Sequence, residues 1–126
     1  MALRTPLFLW LPPLALMVVI FYLSAQPDLS SGLGIVDLVG RKLVHVAEYA
    51  LLCALWWRAL RPATPPRVAL VASLTVSIAY AASDELHQSF IPGRTGTPID
   101  VSIDAFGAGL AALIIRRRER RLAGLG

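Results

Sequence analysis

Four apolar stretches, separated by short segments rich in helix-breaking residues, dominate the pattern of hydrophobic and polar positions along the chain. A helix that crosses a bilayer needs about 17 to 25 mostly apolar residues, and each of the four stretches reaches that length. The pattern therefore predicts an all-α fold, namely a four-helix transmembrane bundle. We place its spans at about residues 6–23, 42–60, 68–88 and 98–115.

The segments between the predicted spans have the composition of loops. Residues 26–40 contain one proline, two serines and three glycines, which favour turns. Residues 61–67 contain three prolines, and residues 91–98 combine two prolines with two glycines, so neither segment continues a helix. Because the loops are short, we expect residues 1–126 to form a single membrane domain that ends in a basic tail, residues 116–126.

The composition excludes most soluble classes of protein. Hydrophobic residue types make up 56% of the chain and charged types only 16%. In soluble domains about 45–50% of the residues are apolar and about 25% are charged. The single cysteine, Cys53, has no partner for an intrachain disulfide. A net charge of +4 would suggest nucleic acid in a soluble protein, but here the basic residues flank the predicted spans. We therefore expect the lipid bilayer, and no nucleic acid, as a partner.

The charges divide unevenly between the two sides of the predicted bundle. With four spans, both termini and residues 61–67 share one side, which holds nine of the twelve Lys and Arg residues. The positive-inside rule then predicts that both termini are cytoplasmic. Seven of the eight acidic residues lie toward the other side. Because acidic residues have little influence on topology, their position indicates a site on the outer side.

Ionisable residues recur at helical spacing toward the outer ends of three predicted spans. Such side chains are costly inside a membrane and face a bundle interior or a watery cavity, so we expect one outward-opening pocket. Asp84 and Glu85 lie roughly 100° apart on a helix, so both point inward only if the helix ends or unwinds there. The candidate catalytic residues, which would share acid and base duty, are His45, Glu48, Asp84, Glu85, His87, Asp100 and Asp104.

The same pocket supplies candidates for metal and substrate binding. Imidazole and carboxylate ligands suit zinc or manganese, so His45, His87 and Glu85 are candidate ligands for a divalent metal, although the chain contains no H-E-x-x-H motif. Lys42, Arg94 and Gln88 are candidates for binding an anionic substrate.

A structural role for the same residues is the competing interpretation. The ionisable groups would then pair among themselves and hold the helices together. His45 with Asp104, and Arg94 with Asp100, are adequate partners for such pairs.

Four short motifs carry these residues, and the resemblance that they support covers about residues 21 to 115. They are L-S-x-Q-P from Leu23, K-x-x-H-x-x-E-Y from Lys42, S-D-E-x-H-Q-x-F-x-P-x-R from Ser83 and D-x-x-x-D-x-x-G from Asp100. In these motifs the chain resembles the VanZ-like family of small integral membrane proteins, which is named for a teicoplanin-resistance protein. The resemblance implies a multi-pass protein of the bacterial cytoplasmic membrane with a role at the cell envelope. It supplies no mechanism.

The leading hypothesis is that the polar pocket binds or acts on an envelope lipid, a lipid-linked precursor or an anionic head group, with a link to teicoplanin resistance. Whether the protein is an enzyme, with metal-assisted or acid-base chemistry, stays open at this point. Two alternatives from other classes also stay open. One is a proton-coupled small transporter or flippase component, which would need a homo-oligomer to enclose a pathway. The other is a non-enzymatic binder or scaffold.

Overall fold

The computed structural model describes residues 4–24, 35–90 and 98–125, and its elements are all α-helices. They are α1 (Arg4–Ser24), α2 (Ile35–Leu60), α3 (Pro66–Gln88) and α4 (Pro98–Leu125). No strand occurs in these three ranges. The prediction of an all-α fold with four helices is confirmed.

Two of the helices contain a segment that is long and apolar enough to cross a membrane. These segments are Val39–Leu60 in α2 and Pro66–Gln88 in α3. The apolar part of α1, Leu7–Leu23, is shorter, and α4 carries two aspartates and a run of arginines. A bundle with four spans therefore stays a prediction for α1 and α4.

The helix ends differ from the predicted boundaries at two places. Helix α2 begins at Ile35, inside the predicted loop. A glycine inside a helix costs only about 1 kcal/mol relative to alanine, so Gly40 does not end the helix. Helix α4 continues through the basic tail to Leu125, since arginine is a good helix former. Pro66 starts α3, as a proline at the first helical position permits. The rest of two predicted loops, residues 25–34 and 91–97, lies outside the described residues.

Aromatic contacts show that α1 and α2 run in opposite directions. The ring of Trp10 meets the ring of Trp56 edge to face, with centroids 5.0 Å apart. The guanidinium carbon of Arg58 lies 5.7 Å from the ring centroid of Phe8. Lower residue numbers on α1 therefore face higher residue numbers on α2, so the two helices are antiparallel.

Contacts between the other helices give α1 and α3 the same direction. The hydroxyl of Tyr80 donates a hydrogen bond to the backbone carbonyl of Met17, and one to two turns later His87 stacks on Phe21. Ion pairs described below give α2 and α4 a common direction as well. One end of the molecule thus holds the start of α1, the α2–α3 turn and the end of α4. We call it the arginine-rich end, and the opposite end the polar end.

Small residues let the helices approach closely. Ala81 on α3 and Ala108 and Ala112 on α4 are buried against α2, which supplies larger core residues. The two backbones of α2 and α4 approach closely at Gly107, where an added Cβ would lie 2.3 Å from the backbone oxygen of Val46. Small residues at helix contacts are typical of membrane helices. Large apolar side chains such as Val18, Phe106 and Ile114 point outward.

Candidate functional site

An ion pair marks the rim of the polar end. Nζ of Lys42 on α2 lies 3.1 Å from Oδ1 of Asp100 on α4. Both side chains are partly exposed, so the pair is accessible from outside the bundle. Helix α4 can bring Asp100 to α2 because Gly107, two turns further along α4, lets the two backbones approach closely.

A second pair lies one helical turn deeper. Nδ1 of His45 lies 3.0 Å from Oδ1 of Asp104, and because a carboxylate only accepts hydrogen bonds, Nδ1 is the donor. Asp104 is only 1% exposed, whereas His45 is partly exposed. The pair of His45 with Asp104, which the structural interpretation of these residues offers as one of its partner sets, is present. The bond at Nδ1 leaves Nε2 of His45 as the ring nitrogen that can exchange a proton with another group.

Helix α3 contributes buried polar side chains behind these pairs. Asp84 is 2% exposed, and Glu85 and Gln88 are each 5% exposed. The expectation that Asp84 and Glu85 cannot both point inward within a continuous helix is wrong, because α3 stays helical to Gln88. Helix α3 packs against α1, α2 and α4, so neighbours cover a wide arc of its surface and both carboxyl groups are enclosed.

His87 contacts α1. Its ring stacks on Phe21, with centroids 4.2 Å apart and an interplanar angle of 27°. Nδ1 of His87 is buried, and no hydrogen-bond partner for it occurs in the described ranges. Sequence reasoning did not predict a role for Phe21, because nothing in the chain shows which apolar residue of α1 will meet a given side chain of α3.

The described helices do not assemble the predicted metal ligands. Among the described residues, no group of three or more His, Cys, Asp and Glu side chains is arranged to hold a metal ion. The set of His45, His87 and Glu85 therefore gains no geometric support and stays a prediction. Glu48 lies one turn after His45 on α2 and is partly buried. Arg94 lies outside the described residues, so its predicted pairing with Asp100 stays a prediction.

Tyr49, near the middle of α2, is a buried polar residue that is not among the sequence-predicted candidates. Its side chain is fully buried, and its hydroxyl has no hydrogen-bond partner within the described ranges. Tyr80 is its aromatic neighbour, with ring centroids 6.5 Å apart. A tyrosine four residues after His45, in an otherwise apolar span, was the signal that could have identified it, because a buried hydroxyl usually has a partner.

The arrangement at the polar end has a definite chemical capacity. Two side chains that can carry positive charge, Lys42 and His45, stand on consecutive turns of α2, and each contacts a carboxylate from consecutive turns of α4. A carboxylate fixes the orientation and the tautomer of an imidazole that it accepts a hydrogen bond from. Such a pair can bind an anion or exchange a proton with a bound group.

Comparison with known proteins agrees with the motifs. The model of the VanZ/LLP1 family matches residues 8–119, which include most of α1, all of α2 and α3, and most of α4. Searches against curated proteins and against solved structures find no match for the chain. The family match and the two apolar helices together indicate a membrane protein. The chain belongs to the VanZ/LLP1 family.

Proposed function

We propose that the polar end binds the anionic head group of an envelope lipid, such as a lipid-linked precursor, while the lipid tail stays in the bilayer beside the helices. The observation that carries the proposal is the pair of parallel contacts from α2 to α4, Lys42 to Asp100 and His45 to Asp104. Ionisable groups at membrane depth cost about 2.5–3.5 kcal/mol each on the insertion scale.

The spacing of the two cationic side chains fits one phosphate group. Lys42 and His45 are three residues apart on α2, which is roughly 4.5 Å along the helix axis. A phosphate bridging them would receive charge-assisted hydrogen bonds from both. Asp100 and Asp104 would stay behind the two donors and orient them. Nε2 of His45 would then be placed to donate a proton to the bound group or to accept one.

A phosphate-specific binding measurement tests this proposal. Purified protein in nanodiscs of zwitterionic lipid is titrated with a polyprenyl phosphate and, separately, with the polyprenol of the same length. We expect the phosphate to bind and the alcohol to bind at least tenfold more weakly, since a hydrogen bond to a charged group contributes about 1.5–3 kcal/mol. Lys42→Gln should weaken phosphate binding by a similar factor.

Arg117→Gln is the matched control, because it removes the same charge from an exposed position at the other end of the molecule. It should leave phosphate binding unchanged. Equal binding of the phosphate and the alcohol, or equal effects of the two substitutions, would contradict the proposal.

We also propose that the chain crosses the bacterial cytoplasmic membrane four times with both termini in the cytoplasm. The basic residues of the arginine-rich end support this orientation under the positive-inside rule. The polar end then faces the outer leaflet, and a role in the cell envelope linked to teicoplanin resistance fits a site on that side.

Cysteine labelling checks the orientation. The natural cysteine, Cys53, is buried, whereas Gly124 is exposed near the end of α4. In spheroplasts, a membrane-impermeant maleimide should label Gly124→Cys only after the membrane is permeabilised. The unsubstituted protein should stay unlabelled in both conditions. Labelling of Gly124→Cys in intact spheroplasts would reverse the assigned orientation.

A further inference from the structure

A groove at the arginine-rich end lies between the start of α3 and the last turns of α4. Its volume is about 530 Å³, which is in the range of sites for small ligands. Leu70, Val71 and Ile115 form apolar walls. We call this feature the arginine groove, because Arg67, Arg116 and Arg120 also line it.

The three arginines of the groove differ in their contacts from Arg58 and Arg61 at the same end. Arg58 lies over the ring of Phe8, and Arg61 donates to the backbone oxygen of Thr64. In contrast, none of the three groove arginines forms an ion pair within the described part of the chain. Glu119 is the acidic residue that lines the groove with them. The groove therefore carries an excess of positive charge.

The N-terminus of α3 adds to this positive field. Pro66 and Arg67, its first residues, line the groove. No side chain caps this helix end, so the positive end of the helix dipole is not compensated by a cap. Helix N-termini of this kind favour anions.

We propose that the arginine groove binds an anionic phospholipid of the surrounding membrane. The phosphate would lie among Arg67, Arg116 and Arg120, and the first part of an acyl chain would follow the wall made by Leu70, Val71 and Ile115. Guanidinium groups match phosphate in a bidentate manner, and basic pockets between membrane helices are a recurrent site for anionic head groups. The groove shares no residue with the polar end, so this inference does not depend on the lipid binding proposed there, although it rests on the proposed membrane topology.

Lipid counting with two charge-matched variants tests the proposal. The protein is delipidated in neutral detergent and titrated with dioleoyl phosphatidylglycerol, and bound lipids are counted by native mass spectrometry. In the triple variant Arg67→Gln, Arg116→Gln, Arg120→Gln we expect binding to weaken about a hundredfold, at about fivefold for each arginine. The control variant Arg117→Gln, Arg118→Gln, Arg121→Gln loses the same charge outside the groove and should bind as the natural protein does.

Several results would overturn the proposal. They are equal loss of binding in the two triple variants, no loss in either, and binding of phosphatidylcholine as tight as that of phosphatidylglycerol. If the triple variant of the groove arginines does not fold, Val71→Trp tests the proposal instead. The larger side chain occupies space beside the exposed apolar wall of the groove and leaves every charge in place. We expect Val71→Trp to weaken binding at least tenfold, and unchanged binding would also overturn the proposal.

Discussion

Gly107→Ala is expected to lower the free energy of unfolding by about 3 kcal/mol, at the upper end of the range for an overfilled helix contact. The new Cβ would lie 2.3 Å from the backbone oxygen of Val46 and 2.9 Å from its carbonyl carbon. Both are backbone atoms, so no side-chain rotation relieves the clash. Helices α2 and α4 must move apart, which also draws Asp104 away from His45.

Gly109→Ala is the matched control, since an added Cβ at this position of the same helix meets nothing within 4 Å. Unfolding of both variants can be followed by helical circular dichroism during titration with a denaturing detergent. Gly109→Ala should show no loss of stability, because alanine is the better helix former. Equal free energies of unfolding for the two variants would show that the backbones of α2 and α4 are not in close contact at Gly107.

His45→Ala is expected to lower the free energy of unfolding by about 3 kcal/mol, because it leaves the carboxylate of Asp104 buried without its partner. Removing one member of a buried pair costs about 3–5 kcal/mol, whereas replacing both members is often neutral. Asp104 is 1% exposed, whereas the His45 side chain is 25% exposed, so we place the loss at the lower end of this range. The double variant His45→Ala, Asp104→Ala should therefore recover most of the stability.

The same double variant separates a structural role from a functional one. If the pair serves binding, the double variant should stay at least tenfold weaker than the natural protein for polyprenyl phosphate, although its stability has recovered. Isothermal titration in nanodiscs and detergent unfolding measure the two properties on one preparation. Recovery of phosphate binding together with stability would show that the pair only holds α2 and α4 together.

The sequence predicts the helices and part of the site for clear physical reasons. Apolar runs of membrane length and proline-rich separators mark the four helices without tertiary information. His45 and Asp104 are available as partners because both lie on polar stripes at similar depths in their predicted spans, and the structure contains this pair. Both signals are local to a single helix.

The remaining features depend on which surfaces meet. Asp84 and Glu85 are both enclosed because α3 has neighbours on several sides, and a stripe on a single helix does not show how many neighbours will cover it. The contact of Gly107 with Val46 requires the relative register of two helices. The stacking of His87 on Phe21 and the arginine groove likewise arise only when distant segments pack.

The pairing of α2 with α4 has a consequence for how the protein is made. The residues of the rim pair, Lys42 and Asp100, are 58 positions apart in the chain. At a synthesis rate of about 5–20 residues per second, α2 waits roughly 3–12 s before the ribosome produces its partner. During that interval Lys42 and His45 lack their carboxylates. A nascent chain that stalls before α4 would thus present unpaired polar groups in the membrane, a feature by which quality-control proteases could distinguish it from the finished protein.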